Sequence, residues 1–310
     1  MRIITPSRLH ITLIDLNASI GRVDGGIGLT LHEPGIEIKA ESSDTLEIIG
    51  KRQHNQRMRD VVKKILPEGK GIRIHVERDF PSHVGLGSGT QASLAAGMAV
   101  NLLCNLNMSI YEIAKKVGRG GTSGIGVAAF EKGGFILDGG HRFSDKKDFL
   151  PSAASKLPPP PVLLRKDFPD WKILIAVPET KGAYMQKEVN IFKRICPIPL
   201  IEVEKLSHII LMQLLPALIE EDLITFGRGI NAIQSIGFKK KEVELQPRAK
   251  KLMELLRQEG AYGAGMSSFG PTVYAFGEDM ENLKSIAQEF LERGHVFITK
   301  ARNTGARIQW

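Results

Sequence analysis

The sequence predicts an α+β protein of two domains, and three observations predict it. Short runs of alternating apolar and polar residues recur through the N-terminal quarter, with one helical pattern set among them. The last of those runs feeds a glycine loop that passes straight into an alanine-rich, helix-favouring stretch, "PSHVGLGSGTQASLAAG" at 81–97. Four consecutive prolines, Pro158 to Pro161, interrupt the chain, and beyond them strands are fewer and helical spacing prevails. A chain of 310 residues is long enough for two cores of ordinary size, so the division is placed between 1–165 and 166–310.

Residues 2–16 read as a strand, with Ile3, Leu9, Ile11 and Leu13 on one parity. "GIEIKA" and "TLEII" are two more. Met58, Val61, Val62, Ile65 and Leu66 recur at helical spacing within 57–66. Strand 71–79, in which Ile72, Ile74 and Val76 alternate, leads into the glycine loop; a helix over 91–106 and a shorter one over 109–117 follow. A second glycine cluster, "GRGGTSGIG" at 118–126, precedes another helix-like run. After the prolines, "KILIAV" is a buried strand and helical patterns occupy 202–235 and 247–259. "GAYGAGMSSFGPTVYAF" is a third glycine turn that runs into a strand, and a helix at 280–293 and a strand at 295–300 close the chain.

The 42% hydrophobic and 25% charged residues describe a folded globular protein. The most apolar run, Ile209 to Ile219, is too short for a membrane span and contains Pro216. The N-terminus lacks the apolar core of a signal peptide, and the two cysteines, Cys104 and Cys196, suit neither a disulfide framework nor a zinc site, so the expected location is the cytoplasm. A net charge of +8 favours an anionic partner. The basic residues are scattered and aromatics make up only 6%, which favours a small phosphorylated metabolite over nucleic acid.

Chemistry concentrates in the glycine clusters. In Gly85-Leu86-Gly87-Ser88-Gly89-Thr90, small residues let backbone N–H groups approach an anion, the following helix adds its positive end, and Ser88 and Thr90 add hydroxyls. The loop has neither the Walker ending nor the Rossmann spacing. Arg119-Gly120-Gly121-Thr122-Ser123-Gly124 offers an arginine and two hydroxyls for a second anionic group, and Ser267 and Ser268 belong to a third loop. Three such loops are expected to be walls of one phosphate-rich pocket. Arg8, His10 and Thr12 share a parity on the first strand and are expected to face one side. Asp15, Arg22 and Asp24 lie close behind, and Asp138 and His141 stand where "FILD" ends.

Pro81, Gly85, Leu86, Gly87 and Ser88 match the pattern P-x-x-x-G-L-G-S-S-A-A, and with its three glycine motifs in this order the chain resembles the GHMP superfamily of small-molecule kinases. Gly89 replaces the pattern's second serine, Thr90-Gln91 replaces Ala-Ala, and "GRGGTSGIG" holds no acid where many of these kinases carry a catalytic aspartate. Those departures, together with "SRLHITLIDLN", "GRVDGGIGLTL", "GRGGTSGIGVAAFEKGGFILDGGHRFSD" and "GAGMSSFGP", resemble a narrower family, the archaeal β-ribofuranosylaminobenzene (ribofuranosylphenol) 5′-phosphate synthases of methanopterin biosynthesis. The likeness spans nearly the full chain.

The resemblance implies a GHMP-kinase-like fold, with a ribosomal-protein-like βαβ N-terminal domain and a ferredoxin-like α+β C-terminal domain, and a homodimer. It implies a Mg²⁺-dependent, ATP-independent reaction of 5-phosphoribosyl 1-diphosphate with 4-hydroxybenzoate or 4-aminobenzoate, giving a C-riboside, CO2 and diphosphate. On that reading the Gly85–Thr90 loop, with Gln91 beside it, and Mg²⁺ hold the departing diphosphate. Asp15, Asp24 or Asp138 carries the metal or faces the developing positive charge, with Ser88 as a further metal ligand. His10 or His141 is the base near the para group, and Arg8, Arg22 or Arg119 meets the 5′-phosphate or the carboxylate. Two other classes stay open: an ATP-dependent kinase of the superfamily, and a basic nucleic-acid-binding module.

Overall fold

Strand formation in the first half follows the alternating patterns, and the pairing shows how they combine. A computed structural model describes residues 1–50, 52–152, 154–179 and 186–310. The parallel pair Leu46–Ile49 and Gly71–Arg78 encloses the helix Asn55–Ile65, which turns Met58, Val61, Val62 and Ile65 inward. This βαβ unit belongs to a five-stranded sheet with Glu37–Ser43, Arg2–Ile4 and Arg307–Gln309. A second sheet joins Ser7–Asp15, Arg22–Leu31, Phe135–Asp138 and Val162–Lys166, with His141–Arg142 on its flank. Ser88–Leu103 runs through the core and is buried on most of its circumference, as its alanines and glycines permit.

The C-terminal half builds a four-stranded antiparallel sheet in the order Gly263–Met266, Val273–Phe276, Lys172–Pro178, Gly294–Lys300. Pro247–Gln258 and Met280–Leu291 cover it with Leu252, Met253, Leu256, Leu283 and Ala287. The single helical pattern expected at 202–235 is divided: Leu200–Ile209 continues through a π-helical turn, Ile210–Leu214, into Leu215–Ile219, and Leu223–Gln234 starts afresh from the Asp222 cap. Three further elements, the strand Arg22–Leu31 and the helices Gln186–Ile195 and Gly237–Glu244, are not among those expected from the sequence. No helix among the described residues is long and apolar enough to cross a membrane.

The proline run at the expected boundary is packed against the first half. Pro158 O faces the His141 ring at 2.9 Å, Pro161 O accepts from Gly139 N at 2.9 Å, and Pro159 and Pro160 pack on Gly120 and Gly124. The chain end also returns to the first half, where Arg302 N donates to Thr30 O and Arg307–Gln309 pairs with Arg2–Ile4. Residues 166–310 therefore do not form a separate body at their C-terminus.

Candidate active site

A cleft of about 560 Å³ opens where the three glycine loops meet. Gly85, Gly87, Ser88, Gly89 and Thr90 form one wall, Arg119, Gly120, Thr122 and Ser123 another, and Ser268, Phe269 and Gly270 a third. The first and third loops interlock through the Ser267 hydroxyl. Ser267 Oγ donates to Gly85 O at 2.7 Å and accepts from His10 N at 3.0 Å. Gly85 sits at φ +91°, and a Cβ there would lie 2.4 Å from Ser267 O, so the two loops approach at a distance only glycine permits.

Gly87 caps the Ser88–Leu103 helix at φ +81°, and no side chain caps that helix. Its first N–H groups therefore face the cleft in the arrangement that suits an oxyanion. Arg8 lies against Gly87, where a Cβ would come within 3.2 Å of its guanidinium, and Arg8 Nη1 donates to Gly85 O at 2.5 Å. Burial pulls the Arg8 pKa down to about 10, with the Glu188 charge opposing. Arg57, held against Gly89, Lys64 and Arg119 complete a ring of cations around the cleft. None of the four is ion-paired with a described residue, and Arg119 Nε is buried without a partner. Four cations that pair with no described acid, gathered around one cleft, suit a polyanion.

His10 enters from the Ser7–Asp15 strand with a buried, unpartnered Nδ1. Burial, then the charges of Arg8 and Lys239, hold its pKa well below the ordinary histidine value, so the ring is neutral. Thr12 does not join it. A bulge between His10 and Thr12 reverses the facing of the strand, so Leu13 lines the cleft while Thr12 is buried and donates to Leu13 O at 2.7 Å.

Several expected residues stand behind the cleft wall instead of on it. Asp15 Oδ1 accepts from Asn17 N and Ala18 N in a local turn. Asp24, fully buried, takes Lys146 Nζ at 2.5 and 2.7 Å and faces His141 Nδ1 at 2.7 Å. Arg22 holds Gly139 O and Gly140 O, both at 2.9 Å. Leu86 is core, Gln91 donates to Gly126 O at 2.8 Å, and Gly121 packs on Ser155. Asp15 and Asp24 therefore do not fit a magnesium site at the cleft, and of the expected ligands only Ser88 lines it. Asp138 lies just beneath the surface, accepting from Gly124 N at 2.9 Å, Gly140 N at 3.1 Å and Ser123 Oγ at 3.4 Å. Burial lifts its pKa to about 7 despite those hydrogen bonds.

The cleft also holds residues that sequence reasoning passed over. Arg57 and Lys64, two turns apart on one helix, share a face. Glu188 and Phe192, one turn apart, share another. Glu242 lines the cleft and pairs at 2.5 Å with the fully buried Lys239. Helical spacing was the available signal for Arg57 and Lys64 and for Glu188 and Phe192; the helix that carries Glu242 has little.

These features, an uncapped helix end behind a glycine turn on a βαβ unit, are those of a GHMP-type phosphate site. Residues 55–134 match the GHMP kinases N terminal domain and residues 214–296 the GHMP kinases C terminal domain. The mevalonate kinase of Methanococcus jannaschii superposes with a TM-score of 0.65 over 98% of both chains at 15% identity, a likeness of fold. The β-ribofuranosylphenol 5′-phosphate synthase of Archaeoglobus fulgidus is 48% identical, covering 100% of this chain and 99% of its own, and that of Methanocaldococcus jannaschii is 46% identical over 99% and 100%. The chain belongs to the β-ribofuranosylphenol 5′-phosphate synthase family within the GHMP kinase superfamily.

Proposed function

We infer that this chain transfers the phosphoribosyl group of 5-phosphoribosyl 1-diphosphate to 4-hydroxybenzoate (or 4-aminobenzoate), releasing diphosphate and CO2 and leaving a C-riboside 5′-phosphate. The observation that carries the reading is the ring of four cations, none ion-paired with a described residue, around a cleft walled by three glycine loops, in a chain of this family. Such a donor carries anionic groups at both ends of the ribose, and the cations are disposed for both. Arg8 and Arg57 flank the Gly85–Thr90 loop, and Arg119 stands on the opposite wall.

Loss of diphosphate from ribose C1 leaves an oxocarbenium-like centre, and the fixed N–H groups and guanidinium of the first loop stabilise the departing charge. Diphosphate brings its own magnesium, as phosphate substrates commonly do. The ring carbon bearing the carboxylate attacks C1, and loss of CO2 restores aromaticity. ATP has no part in this balance, which separates the reading from a kinase. Purified protein given 5-phosphoribosyl 1-diphosphate and carboxyl-labelled 4-hydroxybenzoate or 4-aminobenzoate should release labelled CO2 without ATP. Consumption of ATP with no CO2 from either acid would instead point to a kinase.

A further inference from the structure

A polyanion cleft has little use for carboxylates, yet this one contains two. Among the described residues that line it, Glu188 and Glu242 are the only acids, and Phe192 and Phe269 the only phenyl rings. They gather at one end. Glu188 and Phe192 come from consecutive turns of Gln186–Ile195, Glu242 from Gly237–Glu244, Phe269 from the third glycine loop, and Leu13 from the bulged strand. The rings of Phe192 and Phe269 sit 6.3 Å apart and both contact Phe238, at 4.7 and 5.9 Å, so the apolar corner is rigidly backed. Arg8 divides this corner from the glycine loop: its guanidinium lies on Gly87, and its charge is felt at Glu188.

Building on the phosphoribosyl-transfer reading, we propose that the Leu13, Phe192 and Phe269 corner takes the aromatic ring of the acceptor and that the Glu188 carboxylate accepts the proton of its para hydroxyl. The step balances. The O–H pair moves into the ring as the proton passes to Glu188, the ring carbon bonds to ribose C1, and the C1–O bond breaks with its electrons on diphosphate. CO2 then leaves, its bonding pair returns to the ring, and Glu188 gives the proton back to the ring oxygen. Glu242 is committed to Lys239, whereas Glu188 makes no hydrogen bond or ion pair with a described residue. His10 is the rival base, but Arg8 and Lys239 both oppose its protonation. Burial above all lifts the Glu188 pKa to about 7, with the Glu242 charge adding to it and Arg8 opposing.

The test is E188Q in the full chain, with the wild type run beside it. Its kcat with 4-hydroxybenzoate should fall about 100-fold, the usual scale for a lost general base. Its Kd for 5-phosphoribosyl 1-diphosphate, from calorimetry, should match the wild type. With 4-aminobenzoate the loss should be several-fold smaller, because an amine pushes electrons without first losing a proton. The wild-type kcat should decline below about pH 7, and E188Q should lack that limb. F192L should raise KM for the acceptor about tenfold and leave the Kd for the donor unchanged. If E188Q does not fold, E188D must show an intermediate kcat with the donor Kd intact. Weaker donor binding with unchanged acceptor kinetics would place Glu188 on the ribose hydroxyls and overturn the proposal, as would full kcat in E188Q. A wild type that releases no CO2 from either acid defeats the parent reading instead.

Discussion

Two buried lysine–carboxylate pairs lie beneath the cleft, under different walls, and they meet it differently. Lys146 and Asp24 are sealed: their side chains are 1% and 0% exposed, and the buried His141 ring reaches the same carboxylate oxygen, Oδ2, as the ammonium. The third reach of Lys146 is Thr122 Oγ1, at 3.0 Å, on the second glycine loop. Lys239 and Glu242 are just as buried, but Lys239 is tied by carbonyls of the third loop, Met266 O and Ser268 O, and its carboxylate partner lines the cleft. The first pair holds a loop from behind; the second contributes charge to the cavity. What a buried ion pair does is read from where its remaining contacts end.

The largest effect should come from breaking the sealed pair. D24A leaves the Lys146 ammonium buried without its carboxylate, and urea unfolding should show a loss of about 3–5 kcal/mol. E242Q should cost roughly 1–3 kcal/mol, because Lys239 keeps two carbonyl acceptors and a neutral amide still reaches it. Equal losses from the two variants would erase the distinction.

Asp138 sharpens the contrast between wall and interior through pH. Its native pKa of about 7 stands above an unfolded value of about 3.9, so between those values the native state binds more protons than the unfolded one. The contribution is complete below about pH 4, shrinks as pH rises, and is gone above about pH 7, a loss of about 4 kcal/mol. D138N cannot ionise, so its stability should fall less steeply over that window, whatever its level at pH 4. Glu188 adds a slope of the same sign, and D138N should retain that part. Identical slopes in the two proteins would show that the buried carboxyl ionises without penalty.

Much of the site was legible because glycines and hydroxyls between a strand and a helix have few other uses; the Gly85–Thr90 loop, Arg119 and Thr122 could be found that way. The parts that were not legible share a physical cause. One inserted residue after His10 reverses a strand's two faces, and no residue in "RLHITLID" announces it. In the basic block at 239–241, Lys239 is fully buried while Lys240 is exposed, a difference set by one helical rotation of 100° per residue. The aspartates Asp15 and Asp24 have the residue type that metals need, but Asp15 is taken up by the turn that follows it and Asp24 by a lysine 122 residues away in the chain.

The smallest effect tests the last link of the sealed pair. Thr122 Oγ1 receives Lys146 Nζ and donates to Leu150 O at 2.6 Å, so T122V removes one bond from the ammonium, which keeps Asp24, and leaves the half-buried Leu150 carbonyl without that donor, whereas T122S keeps both bonds. T122V should lose about 1–2 kcal/mol of stability, and T122S should stay close to the wild type. Their effect on the cleft should follow the same order, because Thr122 also lines it beside Arg119. T122V should raise KM for 5-phosphoribosyl 1-diphosphate a few-fold with little change in kcat, the sign of a loosened binding wall. If T122V lowers kcat and leaves KM alone, the hydroxyl acts on the reacting centre itself, and the sealed pair serves chemistry as directly as the open one.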